Sequence, residues 1–285
     1  MSARNEPRKQ HRRVPSGRAE VRTLGIDIGG TGLKASVLDS SGRMVVERVR
    51  VSTPDPCPPK TLLDALAELA ASLPAFDRIS VGFPGVVRDG RVITAPHFPT
   101  KPWRDYPLEF AIAERFDRPV RLLNDAEVQA LGIVTGNGLE VVLTLGTGIG
   151  SAVLRDGWLA PHLELAQHPL LAGKTYKEYV GKEALNRHGS KKWNMRVLEM
   201  IGVVESLFHY DVLYLGGGNV HHLEVELPRN VRTASNDTGI TGGIYLWDEG
   251  VWESIRGSHK CWTRPRAPTV TEPASKSSRP ANTQH

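Results

Sequence analysis

The chain has 285 residues and a mass of 31.3 kDa, and 40% of its residues are hydrophobic, enough to bury one large core or two smaller ones. The net charge of +5 lies at the ends, because residues 1–22 and 256–285 each carry +5 and the residues between them carry −5. This distribution argues against a basic nucleic-acid-binding surface on the folded part of the chain.

Both ends are rich in Arg, Lys, Ser and Pro and poor in apolar residues. Such segments cannot bury enough surface to offset the entropy lost on ordering. We therefore predict a disordered basic tail at 1–21 and a second disordered tail at 257–285. A weak electrostatic attachment of these tails to nucleic acid is the alternative.

The two cysteines are Cys57, in a proline-rich stretch, and Cys261, near the C-terminus. They indicate neither a disulfide framework nor a cysteine-based zinc site. The sequence has no apolar run of about 18 residues, and no apolar signal core follows the basic N-terminus. We expect a cytoplasmic protein with neither a membrane nor a nucleic acid as partner.

In chain order, the pattern predicts a first α/β unit that begins with a meander of three strands. A sequence typical of a capping box, Thr61 to Asp64, begins its first helix. The predicted strands lie at 23–28, 34–39, 44–51, 78–83 and 119–123, and the helices at 61–74 and 107–116.

The second unit repeats this arrangement, with a helix from 125 to about 135, strands at 140–145, 151–155 and 211–215, and a long helix before the last strand. Apolar residues recur in that helix at three- and four-residue spacing, namely Val197, Met200, Ile201, Val204 and Phe208. We predict an N-terminal lobe at 22–123 and a C-terminal lobe at 124–256, with a last helix that can return to the first lobe.

A glycine-rich turn follows the first strand and leads into another strand, so it matches neither a Rossmann turn nor a P-loop, both of which precede a helix. Glycines without Cβ atoms let backbone N–H groups approach an anion. Asp27 at the strand end could hold Mg²⁺ through water. The candidate phosphate-binding residues are Asp27, Gly29, Gly30, Thr31, Gly32 and Lys34. A plain hairpin is the alternative.

A second turn has the same strand, glycine, strand arrangement, with Thr144, Gly146, Thr147 and Gly148 as candidate phosphate-binding residues. A third glycine cluster, with Gly217 and Gly218, follows an apolar strand, where a flat ligand such as adenine could lie against bare backbone. The coincidence of three such signals favours a site for a phosphate donor over three separate hairpins.

The pair Asn124-Asp125 ends one predicted strand and begins a helix, the position at which α/β sheets collect their ligands. A carboxylate there can accept the proton of an attacking hydroxyl while Asn124 orients the same alcohol. The alternative is that Asp125 only caps the helix. Together with the phosphate-type turns, the role of base is the better interpretation.

These residues resemble the ROK family of sugar kinases, most closely its polyphosphate/ATP-glucokinase branch, over roughly residues 22–247. The matching segments, in order and spacing, are 27–34, 124–125, 144–150, 164–168 and 216–219. The resemblance implies an actin/hexokinase-like (ribonuclease H-like) two-lobed α/β fold with a cleft between the lobes. It also implies Mg²⁺-dependent transfer of a phosphoryl group from ATP or polyphosphate to a hexose, usually glucose at its 6-position, by a homodimer.

By the same resemblance, Asp125 corresponds to the catalytic base. The sugar-binding positions are Asn124, Glu164, His168, Gly85 and His97. The second phosphate turn falls on Gly146, Thr147 and Gly148, and the nucleoside-side motif on Gly217 and Gly218.

The chain departs from the family pattern at three places. Gln167 stands where the family has a histidine, with His168 after it, and His97 stands where asparagine is common. Residues 173–179 replace a His/Cys zinc loop, and their lysines either face solvent or follow a polyphosphate path. The alternative function is a catalytically weak, sugar-sensing ROK protein without a DNA-binding domain, since about 22 polar residues before the first strand are too few for a helix-turn-helix.

Overall fold

A computed structural model describes residues 20–235 and 237–260, with side chains described up to residue 257. Apart from residues 20–21 and 257–260, the tails that we predicted lie outside the described residues. The final helix extends to Lys260, into the first residues of the segment that we predicted as the second tail.

The first lobe has a five-stranded sheet in the order β3-β2-β1-β4-β7. Strands β2 and β3 run antiparallel to their neighbours, whereas β1, β4 and β7 are parallel. The elements of this lobe are β1 (Thr23–Ile28), β2 (Leu33–Leu38), β3 (Val49–Val51), α1 (Pro59–Ala71), β4 (Arg78–Phe83), β5 (Val87–Arg88), β6 (Arg91–Val92), α2 (Thr100–Trp103), α3 (Leu108–Phe116) and β7 (Val120–Asn124).

The second lobe begins with a helix and contains a sheet in the order β10-β9-β8-β13-β14. Its elements are α4 (Asp125–Ile133), β8 (Leu139–Leu145), β9 (Ile149–Arg155), β10 (Trp158–Leu159), β11 (Pro169–Leu171), β12 (Lys174–Thr175), α5 (Tyr176–Val180), α6 (Lys182–Phe208), β13 (Val212–Gly216), β14 (Val231–Thr233), α7 (Thr238–Thr241) and α8 (Glu249–Lys260). Helix α6 is broken at Gly189, which has φ of 75° and ψ of 165°.

The two sheets have the same strand order and the same pattern of directions, because β8, β9 and β10 repeat the meander of β1, β2 and β3 and β13 and β14 repeat β4 and β7. This duplication confirms the repeated architecture and the actin/hexokinase-like fold that we predicted. The ends of β1 and β8 that lead into the glycine turns therefore occupy equivalent places in the two lobes.

Two details of the predicted elements are wrong. Only Val49–Val51 of the predicted strand at 44–51 forms a strand of the sheet. Met44 forms an isolated bridge with Leu38, and residues 46–48 then leave the ladder, because the Val46 carbonyl accepts a hydrogen bond from the Ser36 hydroxyl. Helix α1 starts at Pro59 without a side-chain cap, so Thr61 lies inside the helix and forms no capping box. A proline with fixed φ at the first helical position can start a helix by itself.

Each sheet has its own apolar core, and a third apolar cluster joins α4 and β8 to α8. The face of α6 that we predicted is buried at Val197, Met200, Ile201 and Val204, while Phe208 packs against the same core from a partly buried position.

After β14 the chain returns to the first sheet, where Ser80 Oγ on β4 donates to the Gly243 carbonyl over 2.6 Å. Trp247 Nε1 donates to the same Ser80 Oγ over 2.8 Å. We propose, as the sequence predicted, that the boundary between the two lobes lies between residues 123 and 124.

Candidate active site

Asp125 lies where the first lobe passes into the second. Strand β7 ends at Asn124, whose Oδ1 accepts hydrogen bonds from the backbone N–H groups of Ala126 and Glu127 at 2.9 and 3.3 Å. Asn124 is therefore the cap of α4. Its Nδ2 donates to the Gly85 carbonyl over 3.0 Å, so the cap also ties the helix to the loop after β4.

Two glycines let α4 enter between the sheets. A Cβ atom on Gly82 of β4 would lie 3.2 Å from Cα of Asp125, and one on Gly150 of β9 would lie 2.7 Å from Cβ of Ala126. Side chains at these two positions would push the helix out of place. The first turn of α4 is therefore held against both lobes, and Asp125 faces the cleft between them.

The carboxyl group of Asp125 is half-buried and has an unusual proton affinity. Burial, and after it the neighbouring carboxylates of Asp27 and Glu164, raise its pKa to about 7, although the hydrogen bond from the Ala126 N–H acts in the opposite direction. A carboxylate that titrates near neutral pH is a suitable general base, because it is both ionised and basic enough to take a proton.

Three charged residues form a row across neighbouring strands of the first sheet. Asp27 on β1 pairs in register with Lys34 on β2, and Lys34 pairs with Arg50 on β3. Lys34 Nζ donates to Asp27 Oδ2 over 2.7 Å, whereas no ion pair joins Arg50 to another described residue. All three residues line the cleft beside the first glycine turn.

The two glycine turns line one cleft of about 590 Å³. Each turn is closed by its own backbone hydrogen bond of 3.0 Å, from Gly29 N to Gly32 O and from Gly146 N to Gly148 O. His97 lies between them, since a Cβ atom on Gly30 would be 2.8 Å from its Cγ and one on Gly148 would be 3.8 Å from its Nε2. Burial and the charge of Lys177 lower the pKa of His97 despite Glu164, which favours a neutral imidazole.

The third glycine cluster is tied to the second turn. Asn219 donates from its backbone N to the Leu145 carbonyl over 2.8 Å and from its Nδ2 to the Gly146 carbonyl over 2.9 Å. The start of α6 reaches the same turn, because Lys182 N donates to the Gly146 carbonyl over 3.1 Å. A helix N-terminus beside exposed backbone N–H groups favours a bound anion.

The structure brings together every predicted site residue except His168. The remaining predicted residues all line the same cleft, namely Asp27, Gly29, Gly30, Thr31, Gly32, Lys34, Gly85, His97, Asn124, Asp125, Thr144, Gly146, Thr147, Gly148, Glu164, Gly217 and Gly218. A carboxyl group of raised pKa thus shares one cavity with the two glycine turns, an arrangement suited to phosphoryl transfer to a hydroxyl.

Comparison with known proteins agrees with this geometry. The family model described as "ROK family" matches residues 23–161. Over 246 residues the chain is 31% identical to the polyphosphate glucokinase of Mycobacterium tuberculosis (strain ATCC 25618 / H37Rv), a match that covers 80% of this chain and 92% of the relative. This chain belongs to the ROK family.

Solved structures with related folds include two sugar kinases. The inorganic polyphosphate/ATP-glucomannokinase from Arthrobacter sp. strain KM is 30% identical, with a TM-score of 0.72 over 79% of this chain and 97% of that one. A ROK family glucokinase from Streptomyces griseus, in complex with glucose and AMPPNP, is 21% identical and shares the fold, with a TM-score of 0.65 over 79% and 98%. This ROK chain is a phosphotransferase with an alcohol acceptor.

One of the predicted sugar-binding residues of this ROK protein lies outside the cleft lining. His168 is exposed, its Nδ1 lies 2.9 Å from the Pro169 carbonyl, and it does not line the cleft. Gln167 lines the cleft instead. The tight turn closed by His168 N donating to the Leu165 carbonyl over 2.9 Å directs consecutive residues to different sides. The histidine in this segment therefore does not take over the place that Gln167 occupies.

Sequence reasoning missed several residues of the ROK site. Arg50 and Lys182 add positive charge to the cleft wall, and Gln129, His221 and His222 line it as well. Lys177 also lines the cleft, and it is one of the lysines at 173–179 for which the sequence left a polyphosphate path open. Strand pairing could have revealed Arg50, because it lies two strands away from Asp27 in register. Another missed residue is His162, which lies behind Glu164 and bonds to Glu127, and no local pattern of the sequence marks it.

Mg²⁺ fits the residues of this ROK cleft. The part of the chain that the structure describes contains no group of three or more His, Cys, Asp or Glu side chains that could hold a metal by themselves. Mg²⁺ does not need such a group, because it is usually bound by one or two carboxylates, several waters and the phosphates of its substrate. Asp27 offers a carboxylate of this kind beside the first turn.

No helix among the described residues is both long and apolar enough to span a bilayer.

Proposed function

We propose that this ROK protein transfers the terminal phosphoryl group of ATP or inorganic polyphosphate to a hydroxyl group of a hexose. We further propose that the hexose is glucose and the product glucose 6-phosphate. The observation that carries the proposal is the position of Asp125, whose carboxyl group has a pKa of about 7 and shares a cleft with two anion-binding turns.

The acceptor sugar would lie on the side of the cleft formed by Asn124, Gly85, Glu164, His97 and Gln167. Glu164 can accept hydrogen bonds from sugar hydroxyls, and Gln167 can both donate and accept. Asn124 uses its side chain to cap α4 and to hold Gly85, so its part in sugar binding is to shape the site.

In the reaction, the hydroxyl oxygen of the sugar forms a bond to the terminal phosphorus, and the bond from phosphorus to the bridging oxygen of the donor breaks. The proton of the hydroxyl passes to the carboxylate of Asp125, and the shortened donor leaves with the bridging electron pair. Positioning and charge neutralisation supply most of the barrier reduction in such transfers.

The donor phosphates would bind the N–H groups of the turns at 29–32 and 146–148, with Thr31, Thr147 and Arg50 beside them. Asp27 would hold Mg²⁺ through water, and the ion neutralises charge on the phosphate oxygens when it is bound. Gly217 and Gly218 would lie next to the base of a nucleotide donor. Lys177 and Lys182 on the cleft wall are suited to further phosphates of a longer donor.

The second candidate is a sugar-sensing protein of low activity. It shares the proposed hexose site, but in it the donor would not be consumed. A coupled assay that crosses a panel of hexoses with ATP and polyphosphate separates the two. We expect glucose-dependent consumption of at least one donor, and hexose binding without consumption of either would favour the sensor. A homodimer and a cytoplasmic location remain predictions.

A further inference from the structure

A group of three charged side chains lies behind the sugar side of the cleft. His162 Nδ1 is 2.9 Å from Glu127 Oε1, and His162 Nε2 is 3.8 Å from Glu164 Oε2. The side chains of Glu127 and His162 are 9% and 16% exposed, whereas that of Glu164 is 37% exposed. Only Glu164 of the three lines the cleft, so the other two support it from within the protein.

Only one of the two ring nitrogens of His162 has a hydrogen bond. Nδ1 has its hydrogen bond to Glu127, but Nε2 is buried and no hydrogen-bond partner is in range among the described residues. A buried donor without a partner costs free energy, which favours an arrangement in which a nearby acceptor completes the bond. Glu164 is the nearby acceptor, slightly beyond hydrogen-bonding distance.

The charge of His162 agrees with this geometry. Burial alone would lower its pKa, but the interactions with Glu127 and Glu164 outweigh burial and raise the pKa to about 9. The charged groups that face the imidazole are these two carboxylates, one from α4 and one from its own loop. At neutral pH both ring nitrogens therefore carry protons, and each points toward a carboxylate.

The group also connects two parts of the site. Glu127 lies on the first turn of α4, two residues after Asp125. The loop that carries His162 and Glu164 is held to β9, because Ser151 Oγ donates to the Leu163 carbonyl. A series of contacts thus leads from the helix of the candidate base, through Glu127 and His162, to a residue of the sugar side.

We propose that His162 is a positioning residue, which fixes the carboxylate of Glu164 against the acceptor sugar and links it to the helix that carries Asp125. The inference rests on the proposed function, because it assigns Glu164 to the sugar. A carboxylate held by a buried cation loses less freedom when the ligand binds and stays ionised, so it accepts hydrogen bonds from sugar hydroxyls more strongly.

The first test is steady-state kinetics on the full chain. We expect His162→Leu to raise the KM for glucose about 10- to 100-fold, with kcat and the donor KM changed less than about threefold, by analogy with the residues that hold metal ligands in place, whose loss costs this much. His162→Gln, which keeps an N–H donor but loses the charge, should recover part of the loss. The matched control is His188→Gln on α6, outside the cleft lining, which should behave as the wild type.

The second test does not depend on activity. Titration of the His162 imidazole by NMR should give a pKa near 9 in the full chain, and Glu164→Gln and Glu127→Gln should each lower it. The thermal unfolding midpoint of each variant shows whether it remains folded.

An unchanged glucose KM in folded His162→Leu would overturn the inference, as would an effect confined to the donor KM. An imidazole pKa that does not respond to Glu164→Gln would also overturn it. A wild-type protein that consumes no donor with any hexose is the failure of the proposed function, and the NMR titration still decides whether His162 holds Glu164.

Discussion

Lys34 Nζ lies 2.7 Å from Asp27 Oδ2 on the adjacent strand of the first sheet, and the two residues are direct partners in the strand register. The positive charge of Lys34 is therefore largely balanced by Asp27. Arg50, the next residue along the same row, has no ion-pair partner among the described residues. Arg50 is thus the better available cation for a phosphate at the first turn.

We predict that Arg50→Ala raises the KM for the donor about tenfold and leaves the KM for glucose unchanged, because a charge-assisted hydrogen bond to phosphate is lost. The effect should shrink as salt is added, since an exposed charge is screened. Arg48→Ala is the matched control, because Arg48 pairs with Asp237 over 2.6 Å outside the cleft. A raised KM for glucose in Arg50→Ala would contradict the assignment of Arg50 to the phosphate donor.

The role of Asp125 as base predicts a large loss of turnover in Asp125→Asn and Asp125→Ala. General base catalysis typically contributes a factor of about 10² to 10⁴, and we expect kcat to fall by at least this much while glucose affinity changes little. Stopped-flow or coupled assays give kcat, and calorimetry gives the affinity. Turnover close to the wild-type rate in either variant would exclude Asp125 as the base.

The pKa of Asp125 predicts the pH dependence of the reaction. Since the base must be ionised, kcat/KM should rise with pH through about 7 and level off above it. After burial, the negative charge of Asp27 is the largest cause of this raised pKa. Asp27→Asn should therefore lower the pKa of the Asp125 carboxyl, and ¹³C NMR can measure this pKa without an activity assay. A pH profile that is flat between pH 5 and pH 8 would contradict the assignment.

The same pKa predicts that the site lowers the stability of the protein at high pH. The folded-state pKa of Asp125 is raised from 3.8 to about 7, so its contribution to stability is present at low pH and is lost as pH rises through 7. Asp125→Asn should therefore be more stable than the wild type at pH 8 by up to about 4 kcal/mol, and nearly equal to it at pH 4. Thermal unfolding at both pH values measures this difference.

The third glycine cluster contains a matched pair of positions. Gly217 has φ of 87°, and a Cβ atom there would lie 2.6 Å from the Leu145 carbonyl oxygen, whereas a Cβ atom on Gly218 would meet no atom within 4 Å. We expect Gly217→Ala to lose roughly 1 to 3 kcal/mol of unfolding free energy and Gly218→Ala to lose almost none. Chemical denaturation measures both losses. Equal losses of unfolding free energy in the two variants would contradict the prediction, because they would mean that the backbone at Gly217 is free to adjust.

Local patterns of the sequence predicted much of the fold. Strands bounded by glycine turns, and the helical spacing in α6, depend on neighbours along the chain, and most of these elements were confirmed. The errors came from contacts between separate segments, such as the Ser36 hydroxyl that takes the Val46 carbonyl out of the ladder. The start of α1 was misplaced because one stretch contains two start signals, a proline at 59 and a capping-box pattern at 61–64. The helix begins at the proline.

The sequence by itself determined the order of the longer strands and helices and the position of Asp125 at a strand-to-helix junction, because these follow from backbone preferences and periodicity over a few residues. Only the tertiary structure decided that His97 lies between the two turns, that His168 lies outside the cleft lining, and that Glu127 meets His162. Such contacts join residues far apart in the chain. They depend on how the packed lobes and loops bring side chains together, which no local pattern encodes.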